Sequence, residues 1–223
     1  MMERPRVMVN CALTVDGRLA NPDFSPLEIS CIEDKKYVHM LRASHDAIMV
    51  GVDTVIHDDP SLLVKKEYFK SDKNPIRVII DSKGRSPKNA RVFDGMAQTI
   101  VITAEECKEE FPNATVIRAG RGRVDLAKAL QFLKKEGISS VLVEGGGKII
   151  YSILRAQLFD RFRVYIGPMV LGAGPTIRAV GDSGGESSAS TDKYIPIRLR
   201  LCDVQRIGNG VALVFEPEII MAK

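Results

Sequence analysis

Ser139-Ser140-Val141-Leu142-Val143-Glu144-Gly145-Gly146-Gly147 is the stretch on which the fold turns. Its apolar middle is too short for a helix and reads as a buried strand over 139–144. The glycines end that strand, and a helix follows to about Leu158. A strand that runs through a glycine turn into a helix is half of a βαβ unit. Working back, 125–136 carries Leu126, Leu130 and Leu133 at helical spacing, with Asp125 as cap and Gly137 as stop. Segments 99–103, 76–81 and 46–51 are further apolar strands. Residues 30–44 read as a helix, with Ser30 and Glu33 at capping-box spacing and Val38 and Leu41 on one face. Residues 6–14 form the first strand. Working forward, 163–166, 197–204 and 211–216 are strands with no helix between them. The expected architecture is α/β, a mixed and mainly parallel sheet flanked by helices, with an antiparallel C-terminal edge. Segments 65–74 and 183–190 read as polar loops. No repeat or composition shift divides the chain, so 1–223 is expected to form a single domain.

The composition narrows the function. A net charge of +4 is spread along the chain without a block of like charge, which argues against a nucleic-acid tail. The mild positive excess suits an enzyme of phosphorylated anions. Cys11, Cys31, Cys107 and Cys202 make no CxxC pair, which argues against zinc and against a disulfide framework. Reduced thiols, no visible signal peptide and no membrane-length apolar run lead us to expect a cytoplasmic protein.

Three segments follow strands and could carry chemistry. Backbone amides at 145–147 could hold a phosphate at a helix start, or the glycines could be a plain turn. The run is not a GxGxxG fingerprint and lies late in the chain, so a standard Rossmann dehydrogenase is a poor match. Asp58-Asp59-Pro60 could do acid–base work or bind metal. The simpler reading is a cap and turn, with Pro60 forcing Asp59 out of helical geometry. Ser82, Lys83 and Arg85 could hold a 2′-phosphate, or form a solvated turn. Asp81 could instead take a ribose hydroxyl. Ligands gather at the carboxyl ends of strands in open α/β sheets, so these segments could share one crevice. Histidines 39, 45 and 57 show no metal spacing, and His39 reads as an ordinary helix residue.

In order and spacing, these segments resemble the riboflavin-biosynthesis reductase family, from Val7 to Phe215. The likeness runs through Ala12-Leu13-Thr14-Val15-Asp16-Gly17-Arg18, Leu41-Arg42-Ala43, Asp46-Ala47-Ile48-Met49-Val50-Gly51 and Thr54-Val55. It continues through Asp58-Asp59-Pro60-Ser61-Leu62, Asp81-Ser82, Glu144-Gly145-Gly146-Gly147 and Gly172-Ala173-Gly174 before Pro175-Thr176. It is greatest to the free-standing archaeal enzymes.

The resemblance implies a dihydrofolate-reductase-like fold and a homodimer. It implies NADPH as hydride donor, with NADH left open. The implied reaction reduces the phosphorylated pyrimidine 2,5-diamino-6-(ribosylamino)-4(3H)-pyrimidinone 5′-phosphate to its ribitylamino product. Ala12, Thr14, Thr54, Asp58, Ser82 and the run 146–152, including Gly146, Gly147, Lys148 and Ile149, match cofactor-side positions. Gly145 and Arg85 join that set from the residue reading above. Arg42, Leu62 and Glu144 match substrate-side positions. Lys65, expected with Arg42 to bind the substrate's 5′-phosphate, stands where bacterial relatives have an arginine, keeping the charge but not the fork. Asn10 stands where they have a lysine. Glu144 is the candidate proton donor, with water as the alternative. The zinc deaminase motifs of the bacterial bifunctional relatives, HxE and PCxxC, are absent, which points to a reductase acting before deamination. Two other readings compete. A dihydrofolate reductase usually has a tryptophan after its first strand, and this chain has none. A non-catalytic nucleotide-binding module would bind the cofactor without turnover.

Overall fold

The computed structural model describes residues 3–21, 23, 27–172, 177–178 and 196–218. In chain order the strands are β1 (Arg6–Thr14), β2 (Arg18–Ala20), β3 (Ala47–Gly51), β4 (Ile76–Ile80), β5 (Thr99–Thr103) and β6 (Ala114–Arg118). They continue with β7 (Ser140–Gly145), β8 (Arg161–Gly167), β9 (Ile177–Arg178), β10 (Leu199–Ile207) and β11 (Gly210–Pro217). The helices are α1 (Ile32–Ser44), α2 (Val52–Asp58), α3 (Leu126–Lys135) and α4 (Gly147–Arg155).

Nine strands form one sheet in the order β10-β11-β8-β1-β7-β3-β4-β5-β6. From β8 to β6 every neighbouring pair is parallel. β11 and then β10 add antiparallel at one edge, as the helix-free C-terminal strands imply. β2 and β9 pair separately.

Alternation along β1 explains the two layers. Val7, Val9 and Cys11 join a cluster with Val141, Val143 and the apolar faces of α3 and α4. Met8 packs instead with Leu142, Ile48, Val50 and Leu41 of α1. The middle strands are covered on both sides, so Ala47, Ile48, Met49 and Val50 are all buried. Because the parallel strands share one direction, the ends of β7, β3, β4, β5 and β6 open onto a single edge of the sheet.

Some expectations need correction. The N-cap of α1 is Cys31 rather than Ser30, and no side chain caps it, so the Ser30–Glu33 capping box does not form. Leu41 is buried, but Val38 is only half-buried, and Asp34 and His39 occupy the rest of the inner face. The α3 cap is as expected, with the Asp125 side chain accepting from the Lys128 amide. A strand, β6, stands between β5 and α3 where none was expected. Gly172 is described, but 173–176 of the Gly-Ala-Gly-Pro-Thr motif and the loop 183–190 lie outside the described residues.

Candidate active site

β7 supplies the centre of the site because its last residues turn to opposite uses. Glu144 follows Leu142 on the α1 face of the sheet, where Arg42 of α1 meets it. Arg42 donates from Nε to Glu144 Oε1 at 3.0 Å and from Nη2 to Oε2 at 2.6 Å. Its Nη1 donates to the Leu63 carbonyl at 3.1 Å. The pair is mostly buried. A guanidinium has five N–H donors, so these contacts leave two to turn toward a ligand. Arg42 is therefore first a partner of Glu144, and Glu144 first an acceptor.

At the end of β7 the chain must turn sharply into α4. Gly146 does so at φ 83° and ψ 112°, where an L side chain is strained. A Cβ there would stand 3.4 Å from Thr54 Oγ1. The glycine turn is thus pressed against Thr54 of α2. The first bonds of α4 run from the Ile149 and Ile150 amides to Gly146 O. The amides of Gly147 and Lys148 precede them at the positive end of the helix, an arrangement that suits a phosphate.

Cations gather at the same edge. Arg85, after β4, donates to Asp53 Oδ1 at 2.6 Å, and Lys148 reaches Asp53 Oδ2 at 3.3 Å. Burial would raise the Asp53 carboxyl, but the Arg85 hydrogen bond and the two cations hold it below its ordinary value. Asp81 turns inward: it is fully buried and accepts from the amides of Arg85 and Ser86 and the Ser86 hydroxyl. It is therefore withdrawn from any ribose. Ser82 accepts from the Val124 amide, tying the turn after β4 to the loop after β6.

The remaining candidates differ in the contacts they make within the protein. Thr14 is buried. Its hydroxyl donates to Asp16 and accepts from the Arg18 amide, so it builds the β1 turn. Asp16 also accepts from the Leu171 and Gly172 amides. The Thr14 hydrogen bond, helped by these, lowers its carboxyl to about 2. Ala12 stands two residues before Thr14 on the same face of β1. Asp59 is the left-handed C-cap of α2 and its carboxylate accepts from the Arg91 amide, which supports the turn reading. Asp58 is largely open to solvent, which limits how far partial burial raises its carboxyl against the opposing His57. Leu62 is buried at φ 55°, a strained backbone for a leucine.

His39 and Arg163, to which the sequence assigns no role, and Asn10, a substrate-side candidate, hold this face together. His39 is buried, and its Nδ1 accepts from the Lys65 amide at 3.0 Å, fixing the loop that carries Lys65. Burial first, then Arg42 and Lys65, lower its ring to about 4. Its ring stacks on Tyr68. Asn10 is buried and accepts from Arg163 Nη1 at 2.9 Å. Arg163 also donates to Asp34 Oδ1 at 2.5 Å and lies over the Tyr37 ring. β1 and β7 are in register to Val9 beside Val143, so Asn10 and Glu144 follow on adjacent strands and the same face. No group of His, Cys, Asp or Glu that could hold a metal ion occurs among the described residues.

Known proteins resemble this chain over nearly its whole length. The family model described as the RibD C-terminal domain matches residues 5–213. A 2,5-diamino-6-ribosylamino-4(3H)-pyrimidinone 5′-phosphate reductase of Methanothermobacter thermautotrophicus is 41% identical over 217 residues, covering 95% of this chain and 98% of that protein. The reductase of the same name from Archaeoglobus fulgidus is 37% identical over 224 residues, covering 94% and 97%. A solved deaminase/reductase of Thermotoga maritima matches at TM-score 0.78 and 28% identity, over 96% of this chain and 57% of that one. The fold is the expected dihydrofolate-reductase-like one. With the family model spanning nearly its whole length, the chain belongs to the RibD C-terminal domain family.

Proposed function

We propose that this protein is a reductase of riboflavin biosynthesis. It reduces 2,5-diamino-6-(ribosylamino)-4(3H)-pyrimidinone 5′-phosphate at the sugar C1′, using a nicotinamide cofactor, with NADPH preferred to NADH. The observation that carries this is the double use of β7. One strand end places the Arg42–Glu144 pair beside the glycine turn, setting polar side chains next to an anion cradle. The donor set fits the cofactor: unpaired first-turn amides of α4, Lys148, Arg85 and the Thr54 hydroxyl suit phosphates and ribose. Gly145, Gly146, Gly147, Lys148 and Ile149 would hold the pyrophosphate. Thr54, Asp58, Ser82 and Arg85 would hold the adenosine side. Ala12 and Thr14 would lie along the nicotinamide side. Bound there, the cofactor supplies a hydride.

The substrate is taken on the α1 face. Lys65, exposed beside Tyr68 and fixed at its backbone by His39, would meet the 5′-phosphate. Arg42, Glu144, Asn10 and Leu62 line the approach to the pyrimidine and the sugar. The ribosylamine opens by moving its N–H proton to the ring oxygen, which leaves a C1′=N imine. Hydride then adds at C1′ and one proton at nitrogen. Glu144 orders the polar groups around that nitrogen and relays the proton, directly or through water. The reading includes a homodimer in the cytoplasm, with a single reductase domain. The edge strand β10, with Leu201 and Val204 exposed, supports the association.

The test is turnover with purified protein and NADPH, followed at the nicotinamide absorbance band. Loss of absorbance with the diaminopyrimidine substrate, and none with dihydrofolate, is the expected result. Binding of NADPH without turnover would overturn the reading in favour of a nucleotide-binding module.

A further inference from the structure

Three neighbouring strands each deliver one charge to the same point. Lys148 comes from the first turn after β7, Asp53 from the first turn after β3, and Arg85 from the turn after β4. Each Asp53 oxygen takes one cation, Arg85 on Oδ1 and Lys148 on Oδ2, as two oxygens of a phosphate would. The Arg85 backbone is fixed by buried Asp81, while its side chain is half exposed and able to swing. With Asp81 withdrawn into the turn, Asp53 is the carboxylate that these two cations share. Partly exposed ion pairs contribute little to stability, so the consequence of this cluster falls on binding.

We propose that Asp53 is a specificity-determining residue of the nicotinamide-cofactor site: its carboxylate stands in for a ligand phosphate between Arg85 and Lys148, and so weakens the preference for a cofactor that carries a 2′-phosphate. The inference rests on the cofactor reading given above. Both cofactors bring a pyrophosphate, but the 2′-phosphate adds roughly a further −1.5 to −2 charge at neutral pH. Repulsion by Asp53, and competition for Arg85, therefore fall harder on the phosphorylated cofactor. Removing the charge releases two cations to the ligand.

The test is equilibrium binding of NADPH, NADH, 2′,5′-ADP and AMP to the parent protein, Asp53→Asn, and Asp53→Asn with Arg85→Ala. Asp53→Asn is expected to tighten 2′,5′-ADP and NADPH roughly fivefold, and AMP and NADH by less than about twofold. Adding Arg85→Ala should abolish the gain. An unchanged NADPH-to-NADH ratio in Asp53→Asn, or looser NADPH binding, overturns the proposal while leaving the cofactor reading intact. A parent that binds neither nucleotide overturns both. Asp53→Ser, which removes the charge with less bulk, gives the same decision should the asparagine variant fail to fold.

Discussion

The two sides of the site are built from different materials. The cofactor side, at the ends of β7, β3 and β4, consists of backbone amides and half-exposed charges. The substrate side, beneath α1, consists of buried ion pairs formed within the protein, Arg42–Glu144 and Arg163–Asp34. The difference teaches where damage will appear. Charges open to water alter ligand affinity and leave the fold alone. Buried pairs that lose one partner leave an uncompensated charge and destabilise the fold.

The largest effect is expected at Arg163. Its side chain and that of Asp34 are each only 1% exposed, and Asp34 Oδ2 has no partner among the described residues. Arg163→Met should cost about 3–5 kcal/mol by leaving a buried carboxylate unpaired. Adding Asp34→Leu should recover most of the loss. Urea unfolding measures both, and a single variant as stable as the parent would break the contrast between the two sides.

His39 comes next, and through pH. The unfolded ring takes up a proton near 6.5 and the folded ring near 4. Stability from this group is level above pH 6.5 and falls as pH drops from 6.5 toward 4, by up to about 3 kcal/mol. His39→Asn keeps an acceptor for the Lys65 amide without the titration. Its melting temperature should fall less over that window than the parent's.

Gly146→Ala sharpens the comparison at the boundary between the sides. The backbone strain of a side chain at φ 83° should cost about 2 kcal/mol in unfolding experiments, besides weakening cofactor binding. The smallest stability effect is expected for Arg85→Ala. Its exposed pair should be worth under about 1 kcal/mol, while NADPH affinity falls roughly tenfold and NADH affinity barely moves. Calorimetric melting and cofactor titration on one sample separate the two.

How much the sequence showed follows the same division. The strand and glycine turn at 139–147 are local signals, and the structure places them within a residue of expectation. β6 was missed because Ala114–Arg118 is short and partly exposed, without the continuous apolar run that marks β3 or β5. The seven residues of α2 carry no clear periodicity, so the local sequence does not mark it as a helix. Arg42 and Glu144 were both picked out, but their pairing, across 102 positions, leaves no local trace. The same is true of Asn10 with Arg163, 153 positions apart, and of Asp53 with Lys148, 95 apart. A lone histidine on a helix reads as filler until the chain brings the Lys65 amide to it.

On the proposed reading, β7 brings a nicotinamide cofactor and a ribosylamine sugar to reacting distance. A single-turnover reaction with cofactor deuterated at its transferable position tests it directly. One deuterium is expected at C1′ of the ribityl chain in the product. Product without deuterium, or with deuterium on the pyrimidine ring, would contradict it.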